Sequence, residues 1–302
     1  MLTAEKLKGI IAAVVTPFTS DDEFDQMGLA KLLRHLVENG VHGIMTTGGN
    51  GEFPHLLPDE RRKVLETTID SVKGKVPVIA CTTACSVKET ILNTHHAENA
   101  GADAAILVPP YYYKLPLDQI YQYYKSIAEK TKLPIVVYNN PGYTGNPIPP
   151  KLSVKILAIK GVVGLKQSEY DISQMMEILR QTDEKVSVLT GIDSQLFPAL
   201  CVGGRGIFST AACVVPRQMV KLYDTFNKGD IKTALRIQME LQILNRFFEY
   251  DPGYVAPCKE ALRILGLPGG HVRAPLPSLT KEEKVQIKDA LAKLGLSRPV
   301  FP

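Results

Sequence analysis

Short apolar segments alternate with longer amphipathic segments along most of the chain. The apolar segments begin at Ile10, Gly43, Val76, Ala104, Pro134, Val162, Val186 and Gly206. Their length and their β-branched residues predict buried strands. Successive starts lie 20 to 33 residues apart, which leaves room for a helix and a crossover between parallel strands. The alternation therefore predicts eight β/α units.

The segments between the predicted strands carry apolar residues at helical spacing, as Leu29, Leu32 and Leu36 illustrate. Residues that typically begin helices precede or open them at Asp25, Pro58, Ser86, Pro116, Asp171 and Pro216. Eight strands that are each followed by a helix predict a (β/α)8 TIM barrel of the α/β class. An open doubly wound sheet is the alternative.

The alternation stops after the eighth unit. Three segments with helical spacing follow, at residues 231–248, 254–265 and 280–294, and Pro252 with Gly253 separates the first two. We therefore predict a barrel domain at residues 1–229 and a C-terminal helical appendage at residues 230–302. The appendage is expected to serve packing or oligomer contacts and not catalysis.

Composition narrows the class of ligand. The 302 residues are 45% hydrophobic and 22% charged, and the formal net charge is only +4, without blocks of like charge. A nucleic-acid or membrane partner is therefore not indicated, and a small molecule is favoured. Five cysteines without a Cys-x-x-Cys pair and a polar segment at residues 1–9 predict a reduced, soluble, cytoplasmic protein.

Two side chains at predicted strand ends are candidate catalytic residues. In a β/α barrel, functional groups follow the carboxyl ends of the strands. Lys166 ends the sixth apolar segment. Its side chain either reaches solvent or is a buried amine. Burial favours the free amine, which attacks a carbonyl to form a Schiff base. Tyr138 ends the fifth apolar segment and is either an aromatic residue of the core or an acid–base group.

The glycine-rich segments and the histidines bear on anion, dinucleotide and metal binding. The turn from Gly48 to Glu52 offers consecutive backbone N–H groups that suit a carboxylate or a phosphate. The cluster from Gly203 to Gly206 leads into a strand, which excludes the dinucleotide fingerprint. His95 and His96 are adjacent on a predicted helix and therefore point apart, so no metal site is predicted.

Five segments together point to one family. They are Gly48-Gly49-Asn50-Gly51-Glu52, Pro110-Tyr111-Tyr112, Tyr138-Asn139-Asn140-Pro141 with Thr144-Gly145, Gly164-Leu165-Lys166 and Gly191-Ile192-Asp193. In this order and spacing they resemble the dihydrodipicolinate synthase / N-acetylneuraminate lyase family over essentially the whole chain.

The resemblance implies a homotetramer that acts as a class I aldolase on pyruvate or a related 2-oxo acid and an aldehyde, with no metal or cofactor beyond the lysine imine. It implies that Lys166 is the Schiff-base lysine, that Tyr138 transfers protons, and that Tyr112 crosses a dimer interface to join the relay. Gly49 and Asn50 would bind the carboxylate of the 2-oxo acid. The other substrate-binding positions would be Gly48, Gly51, Tyr143, Asp193 and Phe208.

Two departures from the family pattern bear on the substrate. Gly49 stands where the family often has a relay hydroxyl, so that a relay to Tyr112 would be coupled more loosely. Tyr143 stands where dihydrodipicolinate-forming members usually have an arginine, and a phenol cannot make its bidentate contact. We therefore favour a 4-hydroxy-2-oxoglutarate or 2-keto-3-deoxy sugar acid aldolase.

Three alternatives remain. The first is 4-hydroxy-tetrahydrodipicolinate (dihydrodipicolinate) synthase, which condenses pyruvate with aspartate semialdehyde, and the second is a Schiff-base sugar-acid dehydratase. The third is an inactive binding protein on the same barrel, although the presence of both Lys166 and Tyr138 speaks against it. Trapping with pyruvate and borohydride distinguishes an active enzyme from an inactive binding protein.

Overall fold

The computed structural model describes residues 1–182, 186–249 and 253–296. Within these ranges the strands β1 to β8 are Gly9–Ala13, Gly43–Thr46, Val78–Cys81, Ala104–Leu107, Ile135–Asn139, Val162–Gln167, Ser187–Thr190 and Gly206–Ser209. They follow one another in chain order around a closed barrel. The predicted (β/α)8 fold is confirmed, and the open-sheet alternative is wrong.

The helices follow the predicted pattern with short additions. In the described ranges α1 to α13 are Gln26–Glu38, Pro58–Val72, Val87–Ala100, Leu117–Ala128, Pro141–Thr144, Pro150–Leu157, Ile172–Gln181, Leu196–Cys201, Ala211–Val214, Pro216–Asn227, Ile231–Glu249, Val255–Ile264 and Lys281–Lys293. At least one helix lies between each strand and the next, as the alternation predicts. The predicted break at Pro252 lies outside the described residues.

Local capping explains where several helices begin. The side chain of Asp25 accepts a hydrogen bond from the backbone N–H of Gly28, and Ser86 accepts one from Glu89. Asp171 caps α7 in the same way, through the N–H of Ser173. These side chains satisfy N–H groups that have no partner inside the helix. The helix starts predicted at these residues are confirmed.

The described part of the chain divides into two compact units. The first comprises residues 1–9 and 77–208, with a core formed by β4 to β6 and the apolar faces of α4, α6 and α7. Tyr124 is buried in this core and donates a hydrogen bond to the carbonyl of Leu107 at 2.9 Å. Burial raises the pKa of the Tyr124 phenol well above its usual value, so the hydroxyl stays a donor.

The second unit comprises residues 10–76 and the described residues from 209 onward. In it α11, α12 and α13 pack on one another, and α12 also packs on α9. All three helices predicted for the C-terminal region are thereby present. The predicted domain boundary at residues 229 and 230 stays a prediction.

A buried ion pair joins α12 to the segment that follows β2. Nζ of Lys259 lies 2.5 Å from Oε1 of Glu52, and both side chains are buried. The other carboxylate oxygen of Glu52 accepts a hydrogen bond from the backbone N–H of Arg273 at 2.8 Å. Burial lowers the pKa of Lys259, and the carboxylate of Glu52 opposes that shift. The second unit thus holds its glycine-rich segment through charge as well as packing.

A helix that crosses a bilayer must be both long and strongly hydrophobic. None of the helices in the described ranges combines these two properties.

We expect Lys259→Met to lower the free energy of unfolding by about 3 to 5 kcal/mol, because it leaves the Glu52 carboxylate buried without its counter-ion. Arg236→Met is the matched control, since Arg236 pairs with Glu240 on the exposed face of α11. Its cost should stay below about 0.5 kcal/mol. Urea unfolding measures both values, and equal costs for the two variants would contradict a stabilising role for the buried pair.

Candidate active site

Strands β5 and β6 bring the two predicted catalytic side chains together. Tyr138 and Lys166 are direct partners in the parallel register, so their side chains leave the same face of the sheet. Nζ of Lys166 lies 3.9 Å from the ring centroid of Tyr138. The exposed fractions of Lys166 and Tyr138 are 5% and 6%. Lys166 is therefore a buried amine against an aromatic face, and the alternative in which it reaches solvent is wrong.

An irregularity in the pairing of β5 with β6 makes Tyr138 and Lys166 direct partners. Ile135 pairs with Val162, whereas the next residue, Val136, pairs with Gly164. Val163 is thus an additional residue in β6. With unbroken pairing, Tyr138 would have met Leu165 instead of Lys166.

The tyrosine hydroxyl has a defined orientation. Nδ2 of Asn140 donates a hydrogen bond to Oη of Tyr138 at 2.9 Å. Because Oη accepts this bond, its own proton can be directed to another acceptor. Tyr138 is therefore suited to give a proton to a group near Lys166 or to take one from it.

A glycine that follows β7 makes room for the lysine side chain. A Cβ atom at Gly191 would lie 2.6 Å from Cε of Lys166 and would also clash with Oγ of Ser168. The Ser168 Oγ is buried and has no hydrogen-bond partner among the described residues. Such a hydroxyl costs free energy unless a ligand satisfies it, so it marks a polar contact point beside the amine.

Two further predicted residues belong to the same unit. The ring centroid of Phe208 lies 5.6 Å from Nζ of Lys166, so Phe208 helps to enclose the amine. Asp193 is buried and begins the 3-10 helix Asp193–Gln195 that follows β7. Asp193 thus lies beyond a strand end, as predicted, and Phe208 lies within β8 close to its carboxyl end.

The remaining predicted tyrosines are exposed. Tyr143 lies on the short helix α5 after β5, and 65% of its surface is exposed. Tyr112 follows β4, is 86% exposed and has a φ of +84°, a conformation that is strained for a tyrosine. Its ring stacks edge to face on Tyr113, with 5.0 Å between the centroids. Their exposure contrasts with the burial of Tyr138.

The predicted anion-binding loop lies in the second unit. Between Gly48 and Gly51, the side chain of Asn50 is buried, and its Nδ2 donates to the carbonyl of Ala13 at 2.6 Å. It also exchanges hydrogen bonds with the hydroxyl of Thr210. The Asn50 side chain therefore anchors the loop, and anion binding by the loop stays a prediction.

The described ranges also bear on metal binding. There no set of three or more His, Cys, Asp or Glu side chains is placed to share an ion. His95 lies 3.6 Å from Glu98, and His271 lies 2.9 Å from Asp22. These histidines thus have carboxylate partners on the protein itself.

Four residues have roles that the sequence did not predict. Asn140 and Ser168 are polar residues near a strand end, a position common to many loops, and only the structure shows what they touch. Glu52 and Lys259 are 207 positions apart in the chain, as their residue numbers show. A lysine inside the apolar stretch of α12 was the one signal that could have indicated a buried partner.

Comparison with known proteins places these features in context. The sequence profile of the Dihydrodipicolinate synthetase family matches residues 6–294. The 4-hydroxy-tetrahydrodipicolinate synthase of Thermodesulfovibrio yellowstonii is 36% identical over 291 residues, which cover 96% of this chain and 99% of that protein. The match therefore includes the C-terminal helices.

Solved structures agree at the level of the fold. Dihydrodipicolinate synthase of Thermotoga maritima has a TM-score of 0.92 and 34% identity, with 96% of this chain and 99% of that chain covered. A prophage protein of the dihydrodipicolinic acid synthase family from E. coli K12, in complex with pyruvate, has a TM-score of 0.92 and 31% identity, with coverage of 96% and 99%.

Proposed function

Because the chain belongs to the Dihydrodipicolinate synthetase family, a family of pyruvate-dependent carbon–carbon lyases, we propose that Lys166 forms its Schiff base with pyruvate. The observation that carries the proposal is the buried Lys166 amine 3.9 Å from the Tyr138 ring. A lysine amine attacks a carbonyl carbon through its lone pair, and β6 holds this amine at a buried strand end beside an aromatic ring.

The proposed reaction follows from imine chemistry. The amine of Lys166 adds to C2 of pyruvate, and loss of water gives the imine. Removal of a proton from C3 then gives an enamine, which forms the new carbon–carbon bond with an aldehyde. Cleavage runs through the same steps in reverse. Tyr138 carries the protons in these steps, and Asn140 orients its hydroxyl.

The electron sink in this scheme is the imine itself. The protonated imine accepts the electron pair that a metal ion would otherwise stabilise, so the proposal requires no metal or organic cofactor. The substrates are a small 2-oxo acid and an aldehyde.

The identity of the aldehyde separates two candidate functions. Curated relatives at 34 to 37% identity are named 4-hydroxy-tetrahydrodipicolinate synthase, and these names support condensation with aspartate semialdehyde better than the aldolase that the sequence favoured. Tyr143 is the specific observation for the second candidate, the cleavage of a 4-hydroxy-2-oxo acid. At that position the chain offers an exposed phenol and no guanidinium for a second carboxylate.

A homotetramer stays part of the proposal. Tyr112 and Tyr113 place two exposed, mutually stacked aromatic rings on one loop, as is typical of protein interfaces. The strained φ of Tyr112 must be held by its surroundings, and a second copy of the chain that covers the two rings would do so.

Borohydride trapping tests the nucleophile. With pyruvate and borohydride we expect a stable adduct on Lys166 alone, and Lys166→Ala should abolish turnover. Lys259, also buried among the described residues, is the internal control, because its amine is paired with Glu52 and should stay unlabelled. Peptide mapping locates the adduct. A label on another lysine, or activity that resists borohydride but not chelators, would exclude the mechanism.

Ratios of kcat/KM test the substrate. We expect the unmodified chain to cleave a 4-hydroxy-2-oxo acid better than it condenses aspartate semialdehyde. Tyr143→Arg should raise kcat/KM for the semialdehyde about tenfold or more, since a bidentate contact with a carboxylate contributes about 1.5 to 3 kcal/mol. Tyr170→Arg, on another exposed tyrosine, is the control. A strong preference of the unmodified chain for the semialdehyde would instead establish the synthase.

Single hydroxyl deletions test the proton carrier. Tyr138→Phe should slow the chemical step about a hundredfold or more, within the usual range for acid–base groups, whereas Tyr112→Phe should cost about tenfold or less. Tyr112→Ala should weaken assembly, which light scattering measures. Equal, large losses of kcat for both Phe variants, with assembly intact, would contradict the assignment of the main role to Tyr138.

A further inference from the structure

The side chain of Asn146, two residues after α5, binds three backbone groups of the loop that follows β4. Its Nδ2 donates to the carbonyl of Pro110 at 2.7 Å and to that of Tyr113 at 2.8 Å. Its Oδ1 accepts a hydrogen bond from the backbone N–H of Leu115 at 2.8 Å. Only 2% of Asn146 is exposed. Both donors of the amide are thus used, and the side chain is fixed in one orientation.

The loop that Asn146 binds contains the strained tyrosine. Tyr112, with its φ of +84°, lies between Pro110 and Tyr113, whose carbonyls both accept from Asn146. A strained backbone conformation persists where the surrounding contacts determine it. The amide of Asn146 therefore stabilises this loop from within the same chain.

A series of hydrogen bonds connects Asn146 to the hydroxyl of Tyr138. The backbone N–H of Asn146 donates to Oγ1 of Thr144 at 3.2 Å, and this hydroxyl donates to the carbonyl of Asn140 at 3.0 Å. The side chain of Asn140 in turn donates to Oη of Tyr138 at 2.9 Å. All four residues lie in the first of the two compact units. The orientation of the phenol is thus linked to the position of Asn146.

The buried amide of Asn139 attaches the far end of the same segment to β5. Its Nδ2 donates to the carbonyl of Ile148 at 3.2 Å, and its Oδ1 accepts from the N–H of Ile148 at 3.0 Å. Asn139 is the last residue of β5 and is fully buried. Both ends of the segment 140–147 are therefore attached to β5, and the contacts of Thr144 and Asn146 fix its interior.

We propose that Asn146 is a positioning residue for proton transfer, which fixes the segment of Asn140 and through it the hydroxyl of Tyr138. The proposal rests on the proposed function, in which Tyr138 carries the protons. A group that transfers a proton must be oriented toward the reacting atom, so a loss of orientation slows the transfer. Asn146 acts on the reacting atoms through Asn140 and Tyr138, and not by contact.

The test follows the exchange of the C3 protons of pyruvate with deuterium in heavy water, which NMR measures on the full chain. Exchange requires the imine and the removal of a C3 proton, and it needs no aldehyde. We expect Asn146→Ala and Asn140→Ala each to slow exchange about fivefold to tenfold, the effect of about one hydrogen bond. The extent of borohydride labelling at saturating pyruvate should be unchanged, because Lys166 lies on β6 and outside this segment.

A double variant tests the route from Asn146 to Asn140. If Asn146 acts through Asn140, the chain with both alanines should exchange within about twofold of the slower single variant, whereas independent effects would multiply to about 25-fold or more. Thr144→Val replaces the linking hydroxyl by a methyl group and should slow exchange about threefold or more. It takes the place of Asn146→Ala in the whole test if that variant does not fold.

Thr94→Val is the matched control for the loss of a buried threonine hydroxyl. Thr94 lies on α3 in the same compact unit, is fully buried, and donates to the carbonyl of Thr90 at 2.7 Å. Its exchange rate should stay within about twofold of that of the unmodified chain, although a buried hydrogen bond is lost.

The assignment is wrong if folded Asn146→Ala and Thr144→Val both exchange within about twofold of the unmodified chain, or if the effects multiply in the double variant. It is also wrong if labelling falls in step with exchange, which a general loss of structure would produce. In each of these cases the unmodified chain still forms its adduct on Lys166, so the proposed function stands. An unmodified chain without any adduct on Lys166 overturns the proposed function and this assignment with it.

Discussion

The parallel pairing of β5 with β6 is the interaction on which the candidate site depends. It places the amine of Lys166 over the ring of Tyr138, and one additional residue at Val163 decides which side chain of β6 faces that ring. A shift by one residue would have turned the lysine to the other face of the sheet. The proposed chemistry therefore depends on a backbone irregularity that precedes Lys166 by three residues.

Two lysines are buried in the described part of the chain, and their surroundings differ. Lys259 lies against the Glu52 carboxylate and the ring of Phe18, with 4.4 Å between Nζ and the centroid. Lys166 lies against the rings of Tyr138 and Phe208. The Glu52 carboxylate stabilises the ammonium form of Lys259. The same type of side chain thus forms a buried ion pair at one position and is the proposed nucleophile at the other.

The residues that bear on family membership and those that bear on the choice of substrate lie in different parts of the molecule. The family match covers nearly the full length of the chain. The departures from the family pattern on which the substrate proposal depends lie outside the strands, at Gly49 and Tyr143. Loops tolerate substitutions that strands do not, so specificity can change there while the core reaction is retained. This explains why matching relatives establish the reaction type more firmly than the aldehyde.

Hydrophobic spacing predicts the eight β/α units and the positions of Lys166 and Tyr138 at strand ends, and local residue types predict the caps of α1, α3 and α7. These features act between residues close in the chain. The register that pairs the two side chains and the Glu52–Lys259 ion pair could be read only from the folded chain. Each of these joins residues far apart in the chain, whose proximity depends on how the whole chain packs and leaves no periodic pattern in the sequence.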